Sequence, residues 1–223
     1  MALSKTRPAP FQPGTRLGDH YAIEGLVRLG EGRMFYLAND NRPDMATRKC
    51  FECGTTDTPR SETHCVQCGA EHRPRRFMVS ARWDAELFEP YERYQRLNLT
   101  HPGLVPTIDT LQVDSVICTI TEWGQETLMV DEGAPIARTQ MIDLALRTVG
   151  LLAFLQTNGV EIAPLTQANF IRTDSGDFKL FDLEIRGVQG GPLSTERIQP
   201  GLESLARTLR RFSAVHDLSL MTA

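Results

Sequence analysis

The strongest constraint on this chain is a pair of short turns, CFECG at 50–54 and CVQCG at 65–69. Two residues between cysteines let both sulfurs of a turn face a single point. The glycine after each pair permits a backbone that bends toward the sulfurs and offers them N–H groups. Four thiolates, from Cys50, Cys53, Cys65 and Cys68, can then complete a tetrahedron around Zn2+ with no position left for water. A closed site of this kind is structural. The intervening GTTDTPRSETH has no apolar core, so metal binding must supply most of its folding free energy.

Two disulfides, or an iron centre of rubredoxin type, would use the same four residues and stand as the alternatives. His64 and His72 lie nearby, but the cysteines already make a full set, so both histidines are expected as exposed bystanders. A zinc ribbon over 48–73, holding one structural zinc ion, is the expectation. Cys118 sits in the apolar run VICTI and is expected as a buried, inert thiol.

No run approaches the roughly 20 apolar residues of a membrane span. The opening MALSKTRPAPFQPGTRLGD has three prolines and no apolar core, so it is no secretory signal; residues 1–17 are expected as a flexible lead-in. A reducing cytoplasm follows, where paired cysteines point to metal. The formal charge of -4 argues against a nucleic-acid partner. The short cluster Arg73, Arg75 and Arg76 is expected as a solvated approach to a strand.

Upstream of the cysteines, the stretch from Tyr21 alternates apolar and polar residues around a turn at Gly30 and Gly32, the pattern of a hairpin. FMVSARW (77–83) is a third strand. Leu87, Tyr91, Tyr94 and Leu97 keep helical spacing, with Pro90 expected to start the helix at Tyr91. TIDTLQV and SVICTITEW complete five strands and one helix. From about residue 137 the pattern becomes helical: a long, largely buried helix stopped at Asn158 and Gly159, a small hairpin of NFIRT and DFKLFDL around a D-S-G-D turn, then the helix ESLARTLRRF.

That order resembles the protein kinase fold, and particular residues carry the likeness. LGEGRMFYLA (29–38) is similar to the glycine-rich loop and second strand of bacterial serine/threonine kinases. His101-Pro102-Gly103-Leu104-Val105 is similar to the HPNIV turn after the regulatory helix, and TITEWGQETL (119–128) to the last strand and hinge. GVEIAPLTQANFI (159–171) parallels the catalytic loop position for position, and FKLFDLE (178–184) parallels the V-K-L-I-D-F-G run. The resemblance covers 18 to about 212. It implies an α+β, two-lobed fold: a five-stranded lobe with one helix over 18–124, interrupted by the ribbon, and a truncated helical lobe over 125–223.

The same alignment shows what is lost. The catalytic aspartate corresponds to Pro164, which has neither carboxylate nor N–H; the residues before it are Ile162 and Ala163, and the loop lysine is Thr166. The phosphate-gripping lysine of strand three appears as Arg82, and Glu92 falls where kinases keep its helix partner. The metal-binding DFG becomes Asp182-Leu183-Glu184, and the glycine loop is about two residues short. Gly30, Gly32, Arg82, Glu92, Asn169 and Asp182 are therefore vestigial nucleotide and Mg2+ positions. The resemblance implies a catalytically inactive pseudokinase that scaffolds an unidentified protein partner, with ATP and Mg2+ binding doubtful. An atypical kinase with weak phosphoryl transfer is the alternative.

Overall fold

The computed structural model describes residues 10–220, apart from 19, 31, 40–46, 49, 51, 60, 72–74, 84–85, 87, 125, 130–135 and 174, and apart from the side chains of 48, 127 and 213–220. His72, Arg73, Leu87, Asp174 and the lead-in before residue 10 thus lie outside the described residues.

The strands are β1 (Arg16–Leu17), β2 (Tyr21–Gly30), β3 (Arg33–Asn39), β4 (Thr47–Arg48), β5 (Thr58–Pro59) and β6 (Arg76–Arg82). Helix α1 (Phe88–Arg96) follows, then β7 (Asp109–Val113), β8 (Val116–Trp123) and β9 (Thr127–Leu128). The second half holds α2 (Arg138–Thr157), β10 (Val160–Ile162), β11 (Phe170–Arg172), β12 (Phe178–Leu180), β13 (Ile185–Val188) and α3 (Thr195–Leu220). The chain is mixed α and β. Its centre is a six-stranded sheet in the order β1-β2-β3-β6-β8-β7, antiparallel throughout.

Both faces of this sheet are covered, because alternate residues serve two cores. Met34, Tyr36 and Ala38 of β3 pack with Phe77, Val79, Cys118 and Ile120 on one side. Phe35 and Leu37 turn to the other, where they meet Met78, Leu128, Ile171 and Phe181. Here Phe181 stacks obliquely on Phe35 at 5.8 Å and on Trp123 at 5.3 Å between ring centroids. The small sheet β12-β11-β9 is thereby sealed against the large one. The HPGLV turn is stitched to it by Val105 N–H donating to Leu180 O and Leu180 N–H to Gly103 O, each 2.8 Å.

Several expectations change in the structure. The lead-in is not wholly detached: Phe11 and Leu17 are buried, Phe11 packs edge-on against Tyr36 at 5.5 Å, and β1 adds a sixth strand to the expected five. Helix α1 starts ahead of Pro90, which costs nothing because the first N–H groups of a helix have no partner in it. Helix α3 starts ahead of Pro200 as well. Gly201, just after that proline, lies against α2, where a Cβ would stand 3.6 Å from Leu152, and this packing outweighs the local break. Helix α2 buries one face only: Leu144, Leu151, Leu152 and Leu155 point inward, while Ile142, Leu146 and Val149 are exposed.

The expected stop of α2 has a steric cause. Gly159 sits at φ +71°, and a Cβ there would lie 2.3 Å from Gln189 O and 2.5 Å from Gly191 O, so no other residue fits.

Phe181→Ala removes the ring shared by Phe35 and Trp123. It should lower unfolding stability by about 3–5 kcal/mol, measured by urea titration, with the metal content of the folded protein unchanged.

Candidate metal centre and the arginine-lined cleft

The cysteine segment occupies the connection between β3 and β6, whose ends pair at Asn39 and Arg76. Its two turns are copies of one another. Gly54 N–H donates to Cys50 O at 2.8 Å and Gly69 N–H to Cys65 O at 2.9 Å; Cys50 N–H reaches Thr55 O at 2.7 Å and Cys65 N–H reaches Ala70 O at 2.8 Å. Both glycines take positive φ, +80° and +73°, which closes each turn at no steric cost.

The turns face each other. Cys50 Sγ lies 3.7 Å from Cys68 Sγ, and Cys53 Sγ lies 3.7 Å from Cys65 Sγ. All four sulfurs fall within 4.8 Å of one another. Zn–S bonds of about 2.3 Å place the corners of a regular tetrahedron about 3.8 Å apart, so the donor set fits a single tetrahedral ion. Disulfides need about 2.05 Å between sulfurs, and all four cysteines are free.

The surroundings favour bound charge. Burial opposes a thiolate at Cys65, yet hydrogen bonds from the Cys68 N–H, the Thr58 hydroxyl and the Gln67 N–H bring that thiol down to about 5. At Cys53 the Thr55 backbone pulls the other way from burial and the remaining sulfurs, which push it up to about 12. One thiolate suppresses its neighbours, and a divalent cation relieves that conflict. His64 is exposed, with Nδ1 bonded to the Thr63 hydroxyl at 3.0 Å. Arg75 holds the ribbon to the sheet, reaching Glu52 at 2.6 Å and Glu122 at 2.7 Å, and Arg76 approaches Glu24 at 3.7 Å. The basic cluster is thus committed to ion pairs where it is described. Cys118 is fully buried, and burial pushes its thiol up to about 12.

The second constellation gathers around Asp182, whose side chain is 1% exposed. Its Oδ2 accepts from Arg33 Nη1 at 2.8 Å and Arg82 Nη2 at 2.6 Å, and its Oδ1 from the Thr119 hydroxyl at 3.2 Å. Arg33 and Arg82 oppose one another across β3 and β6, so the carboxylate neutralises a like-charged pair that would otherwise destabilise the ladder. Burial works hardest against the Arg82 charge, but Asp182, Tyr91 and Glu184 together more than offset it and raise that pKa; at Arg33 burial dominates, the Arg82 charge adds to it, and the pKa falls. Asn169 completes the cluster, donating Nδ2–H to Asp182 O at 2.9 Å. Asp182 itself sits at φ +50°.

Arg82, Asn169 and Asp182 therefore converge, with Gly30 on the rim of the same cleft and Gly32 at the hairpin turn with φ +71°. Glu92 does not join them. It pairs with Arg96 at 3.5 Å on the outer side of α1, because the inward position goes to Tyr91, whose hydroxyl donates to Leu183 O at 3.0 Å. Burial raises the Tyr91 pKa. Arg82 instead reaches Glu184 at 2.9 Å. Sequence reasoning missed Arg33 and Glu184 as partners. The signal for Arg33 was strand alternation, which sets it on the face of Phe35 and Leu37.

Beside this cluster lies a cleft of about 300 Å3, bounded by β2, β3, β6, the 163–169 segment and α3, with Pro164 in its wall. No helix among the described residues is long and apolar enough to cross a membrane. Compared with known proteins, the chain matches no family model and no curated protein.

Elemental analysis of the purified chain should give about one metal ion per molecule, and Cys65→Ser should lose most of it. Asp182→Asn should strip the buried Arg33 of its counter-charge and leave Arg82 with Glu184 alone, costing about 3–5 kcal/mol of stability in chemical denaturation.

Proposed function

We propose that this chain is a non-catalytic, protein-kinase-like binding and scaffolding module, stiffened by a structural zinc ribbon and acting through protein–protein contact in the cytoplasm. The observation that carries this reading is the state of Asp182. On the kinase alignment it stands where a carboxylate would hold Mg2+, yet both of its oxygens already accept hydrogen bonds, from two guanidiniums and a hydroxyl. Mg2+ demands near-octahedral oxygen coordination and gives up its water reluctantly, so it competes poorly against this clamp.

Three further features agree. Pro164, at the catalytic-aspartate position, lines the cleft and offers neither a base nor a donor. Phe35, Phe181 and Trp123 pack against one another, at the place where the kinase alignment would put a nucleotide base. The order of elements follows the kinase scheme, with the hairpin β2–β3, the helix α1 between β6 and β7, and the small hairpin β11–β12 after α2. Zinc is the metal proposed for the ribbon, since closed four-thiolate tetrahedra suit it and leave no reactive position. A ribbon pinned by Arg75 to the sheet is a rigid protrusion available to a partner.

Incubated with radioactive ATP, Mg2+ and generic protein substrates, the purified chain should transfer no phosphate, and adding Mg2+ to ATP should not raise its melting temperature. A ligand that binds the native state alone must raise it. Phosphate transfer that disappears in Asp182→Asn would overturn the reading and revive an atypical kinase.

A further inference from the structure

Two of the four cysteines at the metal position also face solvent. Each CxxCG turn contributes one buried and one exposed residue: Cys50 and Cys65 are 1% and 4% exposed, whereas Cys53 and Cys68 are open to solvent. The contacts between the turns are staggered. Sγ of exposed Cys68 lies 3.7 Å from that of buried Cys50, and Sγ of exposed Cys53 lies 3.7 Å from that of buried Cys65. Each reachable cysteine of the four therefore meets a shielded one, and that neighbour belongs to the opposite turn.

Peroxide chemistry uses this arrangement. A solvent-facing thiolate attacks one peroxide oxygen, the O–O bond breaks, and a sulfenic acid forms while the other oxygen takes up a proton and leaves as water. A second thiol in contact then displaces the sulfenic hydroxyl as water and closes a disulfide before more oxygen is added. Two sulfurs lose one electron each to a single peroxide, and solvent supplies the protons that metal-bound thiolates lack. A second peroxide oxidises the other pair, and an ion that has lost all four thiolates is released.

The direction of pairing follows from the geometry. Bonds inside each turn would leave the two turns unconnected once the ion departs. Bonds between turns join sulfurs that already touch, 18 and 12 positions apart in sequence, and such longer loops constrain the unfolded chain more than a four-residue one. The turns keep their own backbone hydrogen bonds, Gly54 to Cys50 and Gly69 to Cys65, so they can approach as units.

We propose that Cys53 and Cys68 are sites of peroxide modification, and that oxidation exchanges the metal for two disulfides across the ribbon, Cys50–Cys68 and Cys53–Cys65. The inference rests on the four-sulfur site and is independent of the scaffolding reading. A chelator removes the ion and leaves nothing between the turns; peroxide removes it and locks them together.

The test treats the metal-loaded full chain with hydrogen peroxide, after its metal content has been measured. About one ion per chain should be released, and only the fully buried Cys118 should remain open to alkylation once the oxidised chain is denatured. Trypsin cuts after Arg60, between the two cysteine pairs. The peptides 50–60 and 61–75 should therefore stay linked until dithiothreitol is added, and fragmentation of the linked pair should place the bonds at Cys50–Cys68 and Cys53–Cys65. Peptides that separate without reductant, a Cys50–Cys65 bond, sulfinic acid in place of disulfides, or four thiols that survive peroxide would each overturn the proposal. The prior metal measurement keeps a failure of the zinc assignment separate from a failure of the sulfur pairing.

Discussion

The structure turns on one carboxylate. Asp182 comes from the segment after β12 and reaches across to the large sheet, where Arg33, Arg82 and Thr119 receive it from three different strands. Without it, two guanidiniums would face each other across a ladder with low-dielectric walls, where like charges repel strongly. With it, the same two residues tie the sheet to the rest of the chain. Buried ion pairs seldom add net stability against apolar replacements, but breaking one side is severe. The arrangement therefore fixes geometry more than it deepens the energy well, and it keeps a strained backbone, φ +50° at Asp182, in one place.

The ribbon follows a different logic. Its residues bury few apolar side chains, and its shape depends on two repeated turns, a buried Thr58 and the ion that four sulfurs can hold. Arg75 is the mechanical link, sharing its guanidinium between Glu52 of the ribbon and Glu122 of β8. The cysteine segment and the body of the protein are thus held by different physics, four sulfurs placed to share one ion in the first and packed aromatic and ionic contacts in the second.

The cysteine site was legible because ligand spacing is a local property, and the structure brings together the four residues that the spacing singles out. The hairpins and the stop at Gly159 were legible for the same reason. What the sequence concealed were consequences of tertiary packing. Helix α1 starts early because an N-terminal proline is harmless, and α3 runs through Pro200 because Gly201 packs on α2. Pairwise expectations failed where two residues competed for one position: Tyr91, not Glu92, faces inward, so Arg82 takes Asp182 and Glu184 instead. Alternation along RMFYLA placed Arg33 beside Phe35, but nothing local announced that an acid about 150 residues later would meet it.

Because the chain leaves the sheet at Asn39 and returns at the paired Arg76, the ribbon behaves as a graft whose two roots are already fastened. Closing a long loop between neighbouring strands costs only a logarithm of its length. Stripping the metal should therefore be a local injury. The protrusion would collapse into a tethered, unstructured stretch while the ladder beneath it kept its register, so a partner that recognises the ribbon would sense metal supply without the body of the protein melting.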